Sequence, residues 1–343
     1  PCSLVPDYVS SLKHNRNRAD YLIIAPANLH KSAQMLADYR EDQGLTAMVV
    51  DLEDVMDEFS HGLYNPNAIH DFLSFAYHNW NKAPQYVVLA GNGTFDYKDN
   101  MGYGDNLVPA LMVTTPHGLF ASDNRYADVD GRDGMPDMAI GRLPVMSAQE
   151  LESAVHKIKA YEISGGAWTS NVLMVADNPN SGGNFPADSD AVAEMLAPGY
   201  LAEMVYLSED SIADSRSQVI DGIHNGALLL NYIGHGGLDR LAQEGLLVND
   251  DVDRLENGDR LPVLTAMTCV VGRHAFPGFE CLAELLVLHE GGGAIAAWAP
   301  TGLSDNSLAV KLDKGFFNAI FSEHTKILGD TILKTLADYP ITG

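Results

Sequence analysis

Short apolar runs alternate with helical segments along most of the chain, and this alternation limits the fold more than any other feature. The runs cover residues 21–25, 46–51, 86–90, 137–141, 172–176, 204–207, 227–233, 263–268 and 294–298. Apolar residues with helical spacing lie between them, at residues 30–43, 67–80, 187–196, 212–225 and 281–289. Strands that alternate with helices build βαβ units, whose parallel strands are covered on both faces. The sequence therefore predicts an α/β protein.

A Ser-Gly-Gly tract at residues 164–166 interrupts this pattern near its middle. Before the tract, Ser147 and Glu150 have the spacing of a capping box, which predicts a helix that begins there and runs to about Ile163. After the tract, the alternation starts again. We therefore predict two adjacent α/β subdomains, each a mostly parallel sheet flanked by helices. Residues 1–163 form the first, with an acidic loop, and residues 164–343 form the second, catalytic one.

The charge of the chain excludes several classes of partner. Acidic residues outnumber basic residues by 46 to 21, and the formal net charge is −25. Such a chain repels nucleic-acid phosphates and anionic lipid headgroups, so we expect neither as a partner. No apolar run approaches the roughly 20 residues that a membrane-spanning helix needs. The chain has no Met at its start and no signal peptide, so we expect a segment processed from a longer protein with flanking domains.

The three cysteines are Cys2, Cys269 and Cys281. Three thiols are too few for a disulfide framework, and no CxxC spacing indicates a zinc or redox site. A pairing of Cys2 with Cys281 stays open. The position of Cys281 in a helical segment favours a small, buried side chain.

Two of the predicted strands end in a reactive residue. The run LLLNYIGHGG contains His235 near its end, and the run LPVLTAMTC ends in Cys269. The 34 positions that separate them are about what a helix, its loops and one strand span between neighbouring parallel strands. Because the carboxyl ends of parallel strands form the ligand crevice of an open sheet, we expect the imidazole and the thiol to meet there. This pair is typical of a Cys/His hydrolase, whose chemistry requires no cofactor.

The glycines beside His235 provide the second element of such a site. Small residues let backbone N–H groups approach the oxyanion that develops when a nucleophile attacks a carbonyl. In the run GHGG, Gly236 could donate one N–H group, and the N–H of Cys269 could be the second donor. Either motif alone favours an ordinary turn or a core thiol. The two motifs together at strand ends favour a catalytic site.

These motifs resemble a known peptidase family. The stretches NYIGHGG, TAMTC and ECLAELLVLHEGGGAIAAWAPTGLS look like the catalytic half of gingipain-type cysteine peptidases, which share the caspase-like fold. Upstream, PDMAIGRLP and the capped segment SAQELESAVHKIKAYE resemble the joint between that family's two subdomains. The resemblance runs from about residue 21 to 321 and implies two caspase-like subdomains. It also implies a secreted or cell-surface bacterial endopeptidase that acts on proteins or peptides.

The resemblance assigns roles to three residues. It implies that Cys269 is the nucleophile and that His235 is the general base. It also implies an acidic residue just before the AIGR segment that orients or polarises the histidine, and here that position is Asp137. Gingipains place a Glu there, so the shorter Asp is a departure, and its carboxylate could reach the imidazole only through water.

The acidic loop DVDGRDGMPD, which begins at Asp128, predicts a structural calcium ion. Asp128, Asp130 and Asp133 alternate with glycines in a short loop, where carboxylates can converge on a hard cation. It is not an EF-hand, since Arg132 follows the first glycine and no Glu closes the loop. It also resembles one calcium loop of a propeller repeat, but a propeller needs a recurring blade pattern and this loop occurs once. A solvated acidic turn is the alternative.

Substrate specificity leaves fewer signals in the sequence. Arginine-specific members of the resembled family use an acid near the start of the helix after the IGR motif. Residues 145–150 contain no Asp, and capping could occupy Glu150, so a basic, small or neutral P1 residue is equally admissible. Arg273, His274 and Phe276 follow the predicted nucleophile and could line a substrate pocket.

A serine esterase is an alternative of another class, because HGG also occurs in the oxyanion loops of α/β-hydrolases. That fold needs a GxSxG elbow, and the chain contains none. The sequence therefore excludes this form of the alternative.

A second alternative is a non-catalytic surface or secretion module that keeps the peptidase fold and binds proteins or calcium. The presence of both His235 and Cys269 argues against it. A transpeptidase, which passes the acyl group to an amine instead of water, would use the same two residues and stays open.

Overall fold

The computed structural model describes residues 10–131, 133–208 and 211–339 and contains two parallel sheets. The strands are β1 Tyr21–Ala25, β2 Ala47–Asp51, β3 Tyr86–Ala90, β4 Met112–Thr115, β5 Gly118–Ala121, β6 Ala139–Leu143, β7 Asn171–Ala176, β8 Leu201–Tyr206, β9 Leu229–Ile233, β10 Gly236–Gly237, β11 Arg240–Leu241, β12 Leu247–Val248, β13 Val263–Met267 and β14 Ala296–Trp298. The α-helices are α1 His30–Asp42, α2 Leu52–Ser60, α3 Pro66–Asn79, α4 Ala148–Ile163, α5 Phe185–Ala193, α6 Ile212–Asn225, α7 Asn249–Val252, α8 Leu282–Leu288, α9 Asn306–Phe317 and α10 Leu328–Ala337.

The strand order places the two sheets in successive parts of the chain. The first sheet has the order β2-β1-β3-β6 and the second has the order β14-β13-β9-β7-β8. Every pair within these two sheets is parallel. An antiparallel hairpin, β4 with β5, and a small antiparallel sheet, β10-β11-β12, complete the strands. The predicted α/β class with mostly parallel sheets is confirmed.

Both faces of the second sheet are covered, as the apolar runs require. On β7, Leu173 and Val175 pack into one buried cluster, and Val172 and Met174 pack into another on the opposite face. Successive side chains of a strand point to opposite faces, so a strand buried on both sides is apolar at every position. This explains why the sequence shows continuous apolar runs rather than alternation.

Most predicted elements are present, with shifted ends. Ser147 accepts a hydrogen bond from the Glu150 N–H at 3.2 Å, and α4 ends at Ile163 as predicted. The strand predicted at residues 137–141 begins two residues later, at Ala139. The hairpin β4–β5 and the helices α2, α9 and α10 were not predicted.

The chain passes from the first sheet to the second between α4 and β7, close to the predicted division after residue 163. Helix α10 then returns to the first sheet. The hydroxyl of Tyr86 in β3 donates to Asp330 at 3.0 Å, and Gly329 lies so close to Ala139 that an added Cβ would be 2.7 Å from the alanine Cβ. On its other side α10 packs on α9, where Gly315 lies against Thr335. The last helix therefore joins the two sheets.

Arg142 is the main buried charge of the first sheet. Its side chain is 5% exposed and forms two bonds of 2.8 Å with the Asp123 carboxylate. The remaining donors reach the carbonyl oxygens of Gly91, Val108 and Pro109, at 2.8, 2.7 and 3.2 Å. A guanidinium has five N–H donors, and these contacts use all of them. A buried charge is tolerated only when it is paired and fully hydrogen-bonded, as it is here.

A second buried polar group lies in the second sheet. Asn231 of β9 donates to Asp313 of α9 at 2.7 Å and to Thr265 of β13 at 2.9 Å. Burial raises the pKa of Asp313 to about 7. The Oδ2 atom of Asp313 and the Oδ1 atom of Asn231 have no hydrogen-bond donor. A protonated Asp313 would donate to the Asn231 oxygen and so satisfy both atoms.

We expect this buried carboxyl to make the fold less stable as the pH rises. The folded state retains the Asp313 proton up to a pH of about 7, whereas the unfolded state releases it near 3.8. The free energy of unfolding therefore falls by up to ~1.4 kcal/mol per pH unit across that window because of this group. Asp313→Asn, which cannot titrate, removes this contribution. Urea unfolding of both proteins between pH 5 and pH 8 measures the difference.

The comparison with Asp313→Asn cancels the titration of the other acidic residues. We expect the variant to gain stability relative to the parent protein as the pH rises. A difference between the two proteins that stays constant over this range would contradict a protonated Asp313.

No helix in the described ranges is long and apolar enough to cross a membrane.

Candidate active site

The predicted reactive residues leave neighbouring strands at the same edge of the second sheet. Ile233, the last residue of β9, pairs in register with Met267, the last residue of β13. His235 and Cys269 each lie two residues beyond this pair. Parallel strands are about 4.8 Å apart, so the two segments leave the sheet side by side. The structure therefore brings the segments of His235 and Cys269 together, as the sequence predicts.

Gly236 shows how closely these segments pack. A Cβ atom at this position would lie 2.5 Å from the hydroxyl of Thr268 and 2.9 Å from the carbonyl oxygen of Cys269. Only glycine fits at such distances. The requirement for a small residue after His235 thus comes from packing against the Cys269 segment.

The backbone turns sharply after Cys269. The N–H of Val271 donates to the Cys269 carbonyl at 2.7 Å, and Val270 between them has a φ of 45°. A positive φ is a genuine outlier for a β-branched residue, and strain of this kind concentrates at functional sites. The N–H of Val270 donates to the Gly302 carbonyl at 2.9 Å, which holds the turn. The turn leaves the Cys269 side chain partly exposed at the sheet edge.

The Cys269 sulfur has a backbone donor. The N–H of Ser304 lies 3.4 Å from Sγ, within hydrogen-bond distance for sulfur, and the Ser304 hydroxyl donates to the Thr268 carbonyl. The hydroxyl bond fixes Ser304 against the strand that carries the thiol. The thiol in turn donates to the Ser304 carbonyl at 3.7 Å, so Ser304 contacts the sulfur through both of its backbone polar groups.

The backbone of His235 is held by groups that the sequence did not single out. Its N–H donates to the Asp177 carboxylate at 3.0 Å, and its carbonyl accepts bonds from the Tyr232 hydroxyl and from the N–H of Ala242. Asp177 directly follows β7, whose last residue, Ala176, pairs with Ile233. Burial raises the pKa of Asp177, and the N–H of His235 opposes this rise. Three strand ends therefore contribute to the site.

Asn180 and Phe185 position the imidazole ring. Nε2 of His235 lies 3.2 Å from Oδ1 of Asn180, and the ring packs edge-on against Phe185 with 5.3 Å between centroids. Because Asn180 Oδ1 also accepts the Gly182 N–H at 2.7 Å, it acts as the acceptor here. The His235 proton is thus assigned to Nε2, which leaves Nδ1 as the basic nitrogen.

The sequence contained a signal for these residues. The run VLMVA is followed by DNPN, so polar side chains follow a third buried strand in the same way as His235 and Cys269 follow theirs. The same rule for strand ends, applied to β7, would have found Asp177 and Asn180.

The N–H group of Gly236, the predicted oxyanion donor, is not bonded to the neighbouring strand β11. Because the N–H of Ala242 donates to the carbonyl of His235, Gly236 and Leu241 form a non-hydrogen-bonded pair of the antiparallel ladder. In such a pair the N–H points away from the partner strand. The N–H of Gly236 is thus directed away from β11.

Asp137 lies in a different environment from the one that the resemblance implies. Its Oδ2 atom accepts the N–H groups of Val129 and Asp130 at 2.8 and 2.7 Å. Asp137 precedes its strand, β6, whereas His235 follows β9, so the two residues occupy opposite ends of their strands. The Asp137 carboxylate closes its own loop, and the structure brings Asn180 to the imidazole instead.

The three aspartates predicted to hold calcium do not converge. Oδ2 of Asp128 accepts from Arg125 at 2.6 Å, Asp133 accepts the Met135 N–H at 3.0 Å, and the N–H of Asp130 is bonded to Asp137. Among the described residues, which omit Arg132 of this loop, no group of three or more His, Cys, Asp or Glu side chains could hold a metal ion. Asp128 Oδ1 is buried and has no hydrogen-bond partner in the described ranges, and a calcium ion at this loop stays a prediction.

Two further predicted groups occupy the protein interior. Cys281 is a free, fully buried thiol before α8, and burial raises its pKa; Cys2 lies outside the described residues. His274 is 9% exposed, with Nε2 4.0 Å from the Asp123 carboxylate. Burial lowers the pKa of His274 to about 4.

Glu150 accepts the Met146 N–H at 2.7 Å and is thus engaged at the helix start.

Comparisons with known proteins agree with this fold. The family model of peptidase family C25 matches residues 14–341. Gingipain R2 of Porphyromonas gingivalis (strain W83) is 25% identical over 272 residues, which cover 78% of this chain and 34% of that protein. Gingipain R1 of Porphyromonas gingivalis is also 25% identical over 272 residues, which cover 25% of its length. The chain thus spans about a third or less of the length of the curated relatives it matches.

Solved structures show the same architecture. The crystal structure of the Arg-specific cysteine proteinase gingipain R matches with a TM-score of 0.77 at 20% identity, covering 97% of this chain and 74% of that one. The complex of the pro- and mature domains of Porphyromonas gingivalis RgpB also gives a TM-score of 0.77 at 20% identity, covering 94% and 73%. At this identity the likeness shows the caspase-like fold alone. The family match extends over most of the chain, and the protein therefore belongs to peptidase family C25, a family of cysteine peptidases.

Proposed function

We propose that this protein is a cysteine endopeptidase in which Cys269 is the nucleophile and His235 the general base. The observation that carries the proposal is the register of β9 and β13, which end together and release the imidazole and the thiol at one edge. The donor from Ser304 to the sulfur and the contact of Asn180 with Nε2 add to it. Few other functions require this combination of groups at a strand edge.

The reaction begins with transfer of the Cys269 proton to Nδ1 of His235. The thiolate then attacks the carbonyl carbon of the scissile peptide bond, and the N–H groups of Gly236 and Cys269 stabilise the tetrahedral oxyanion. His235 returns the proton to the leaving amine, and an acyl-enzyme thioester remains. Water, deprotonated by His235, hydrolyses the thioester and restores the thiol.

Asn180 is a positioning residue in this mechanism. A neutral amide cannot take a proton from the imidazole, so its contribution is to fix the ring and the tautomer. Asp177 holds the backbone of His235 in the same way. These two residues fill the orienting role that the family resemblance implied for Asp137.

Protein or peptide substrates are part of the proposal, since cysteine peptidases of this family act on them. Secretion or display at the cell surface stays a prediction from the family resemblance. The curated relatives are much longer than this chain, so further domains in the full-length protein are also part of the proposal.

A peptidase assay with an active-site variant tests the proposal. We expect purified protein to cleave a fluorogenic peptide library, and we expect Cys269→Ala to abolish the cleavage. Cys281→Ala is the matched control, because its thiol is fully buried and the proposed mechanism does not use it. Incorporation of an added amine in place of water would identify a transpeptidase instead.

Thiol alkylation separates a catalytic cysteine from a structural one. A free thiol is only ~1% thiolate at pH 6.5, so we expect iodoacetamide to modify Cys269 at that pH at least about tenfold faster in the parent protein than in His235→Ala. Peptide mapping by mass spectrometry identifies the modified residue. Equal, slow modification in both proteins, together with no cleavage, would favour the non-catalytic binding module.

A substitution at Gly182 tests the position of the His235 imidazole. A Cβ atom on Gly182 would lie 2.9 and 3.0 Å from two atoms of the His235 ring. We expect Gly182→Ala to displace the ring and to lower kcat by at least about tenfold with little loss of stability, since misplaced catalytic groups cost this much or more. Gly165→Ala is the control, because a Cβ there meets nothing within 4 Å. Unchanged kcat in Gly182→Ala would argue against this ring position.

A further inference from the structure

The segment that follows the nucleophile carries a positively charged side chain, Arg273. The N–H of Arg273 donates to the carbonyl of Val270 at 3.0 Å, so the residue begins where the sharp turn after Cys269 ends. The next N–H contact, from His274 to Gly272 at 2.8 Å, keeps this part of the loop tight. Arg273 is therefore fixed at its backbone, close to Cys269.

Two aromatic rings hold the guanidinium of Arg273. Its central carbon lies 5.0 Å from the ring centroid of Phe120, in the hairpin β4–β5, and 5.7 Å from that of Phe276. Phe276 in turn packs edge-on against Phe95, with 5.9 Å between centroids. A guanidinium that stacks on rings uses its faces and keeps its N–H donors free in the plane. The two rings thus orient the donors without occupying them.

The stacked arginine belongs to the same surface as the thiol. The ring of Phe120 lies against Gly302, where an added Cβ would be 3.1 Å from the ring, and the Gly302 carbonyl accepts the N–H of Val270. Ser304, two residues further on, donates to the Cys269 sulfur. Contacts therefore run without a gap from the guanidinium of Arg273 to the nucleophile.

No acidic side chain in the described ranges forms an ion pair with Arg273. Five of the ten arginines in the described part of the chain form ion pairs with Asp or Glu, namely Arg40, Arg125, Arg142, Arg216 and Arg240, and Arg273 is one of the five that form none. The chain carries 46 acidic residues against 21 basic ones, so a partner would be easy to supply. The side chain is also only partly buried, so its donors are accessible.

We propose that Arg273, held between Phe120 and Phe276, forms a substrate subsite for a carboxylate side chain, Asp or Glu, close to the scissile bond. The in-plane donors of the guanidinium match a carboxylate in a bidentate arrangement. The proposal rests on the proposed peptidase function. It adds a preference for an acidic residue at one substrate position, independent of the residue bound at P1.

A peptide library tests this preference. Each peptide carries Asp, Glu or the corresponding neutral amide, Asn or Gln, at one position from P3 to P3′ other than P1. We expect the protein to cleave the acidic member with a kcat/KM at least about tenfold higher at one position, as for other charge-assisted hydrogen bonds. In Arg273→Gln this ratio falls to about one, and in Arg273→Glu a Lys or Arg at the same position becomes the favoured residue.

Two further variants define the cause of any change. Arg273→Lys keeps the charge but loses the planar donors, so we expect a part of the preference to remain. Arg16→Gln removes one exposed positive charge that precedes β1, and we expect it to keep the full preference. An acid-to-amide ratio that is the same in Arg273→Gln as in the parent protein would overturn the subsite and leave a structural role for the arginine.

Alkylation tests the charge without any peptidase activity. We expect iodoacetate, an anion, to react with Cys269 faster relative to neutral iodoacetamide in the parent protein than in Arg273→Gln, by about threefold or more. If the parent protein cleaves no peptide but still shows the higher ratio of iodoacetate to iodoacetamide reaction, the proposed function is rejected and the anion subsite is kept. An unchanged ratio of the two alkylation rates would reject the subsite itself.

Discussion

The in-register pairing of β7, β9 and β13 is the constraint on which the site depends. Ala176, Ile233 and Met267 are aligned, so Asp177, His235 and Cys269 leave the sheet at one level. A shift of one residue in either pair would turn every side chain of a strand to the other face. Burial on both faces makes that shift costly, because polar groups such as Asn231 would lose their partners. The buried core of the second sheet thus fixes the relative positions of the strand ends that carry Asp177, His235 and Cys269.

The Arg142 cluster has a similar role in the first sheet. Arg142 and Asp123 satisfy each other in the interior, and His274 of the nucleophile loop lies 4.0 Å from the same carboxylate. The IGR motif, which the family resemblance marked as a joint, therefore connects β6 with the loop after Cys269. Removal of either charged partner would leave the other buried and unpaired, at a cost of several kcal/mol. The two parts of the chain thus meet at this buried charge pair, where His274 of the second part lies beside Asp123 of the first.

Much of this architecture could be predicted from the sequence, and the reasons are physical. Strands buried on both faces are short and continuously apolar, so β1, β3, β7, β9 and β13 were recognisable, and the residues at their ends followed from topology. Hairpin β4–β5 was not predicted, because its sequence MVTTPHGLFA contains a Pro and a Gly in a short stretch with an exposed face.

The failures at the site have another cause. Asp137 was assigned by resemblance of motifs, although it precedes its strand and so begins at the opposite end from the reactive residues. Asn180 was overlooked because the strand-end rule was applied only to strands followed by a reactive side chain, and the residues after β7 include no His or Cys. The aspartates of the acidic loop satisfy neighbouring backbone N–H groups and Arg125, which sequence spacing cannot distinguish from cation binding.

Helix α10 has a consequence for the way the protein is made. It lies between α9 and β6, and therefore contacts a strand that is synthesised much earlier in the chain. The first sheet can form during translation, but the surface next to Ala139 stays uncovered until α10 has left the ribosome. Contacts of such sequence separation are slow to form, and exposed apolar surface invites aggregation in the interval. The two halves are thus expected to reach their final packing together, late in synthesis.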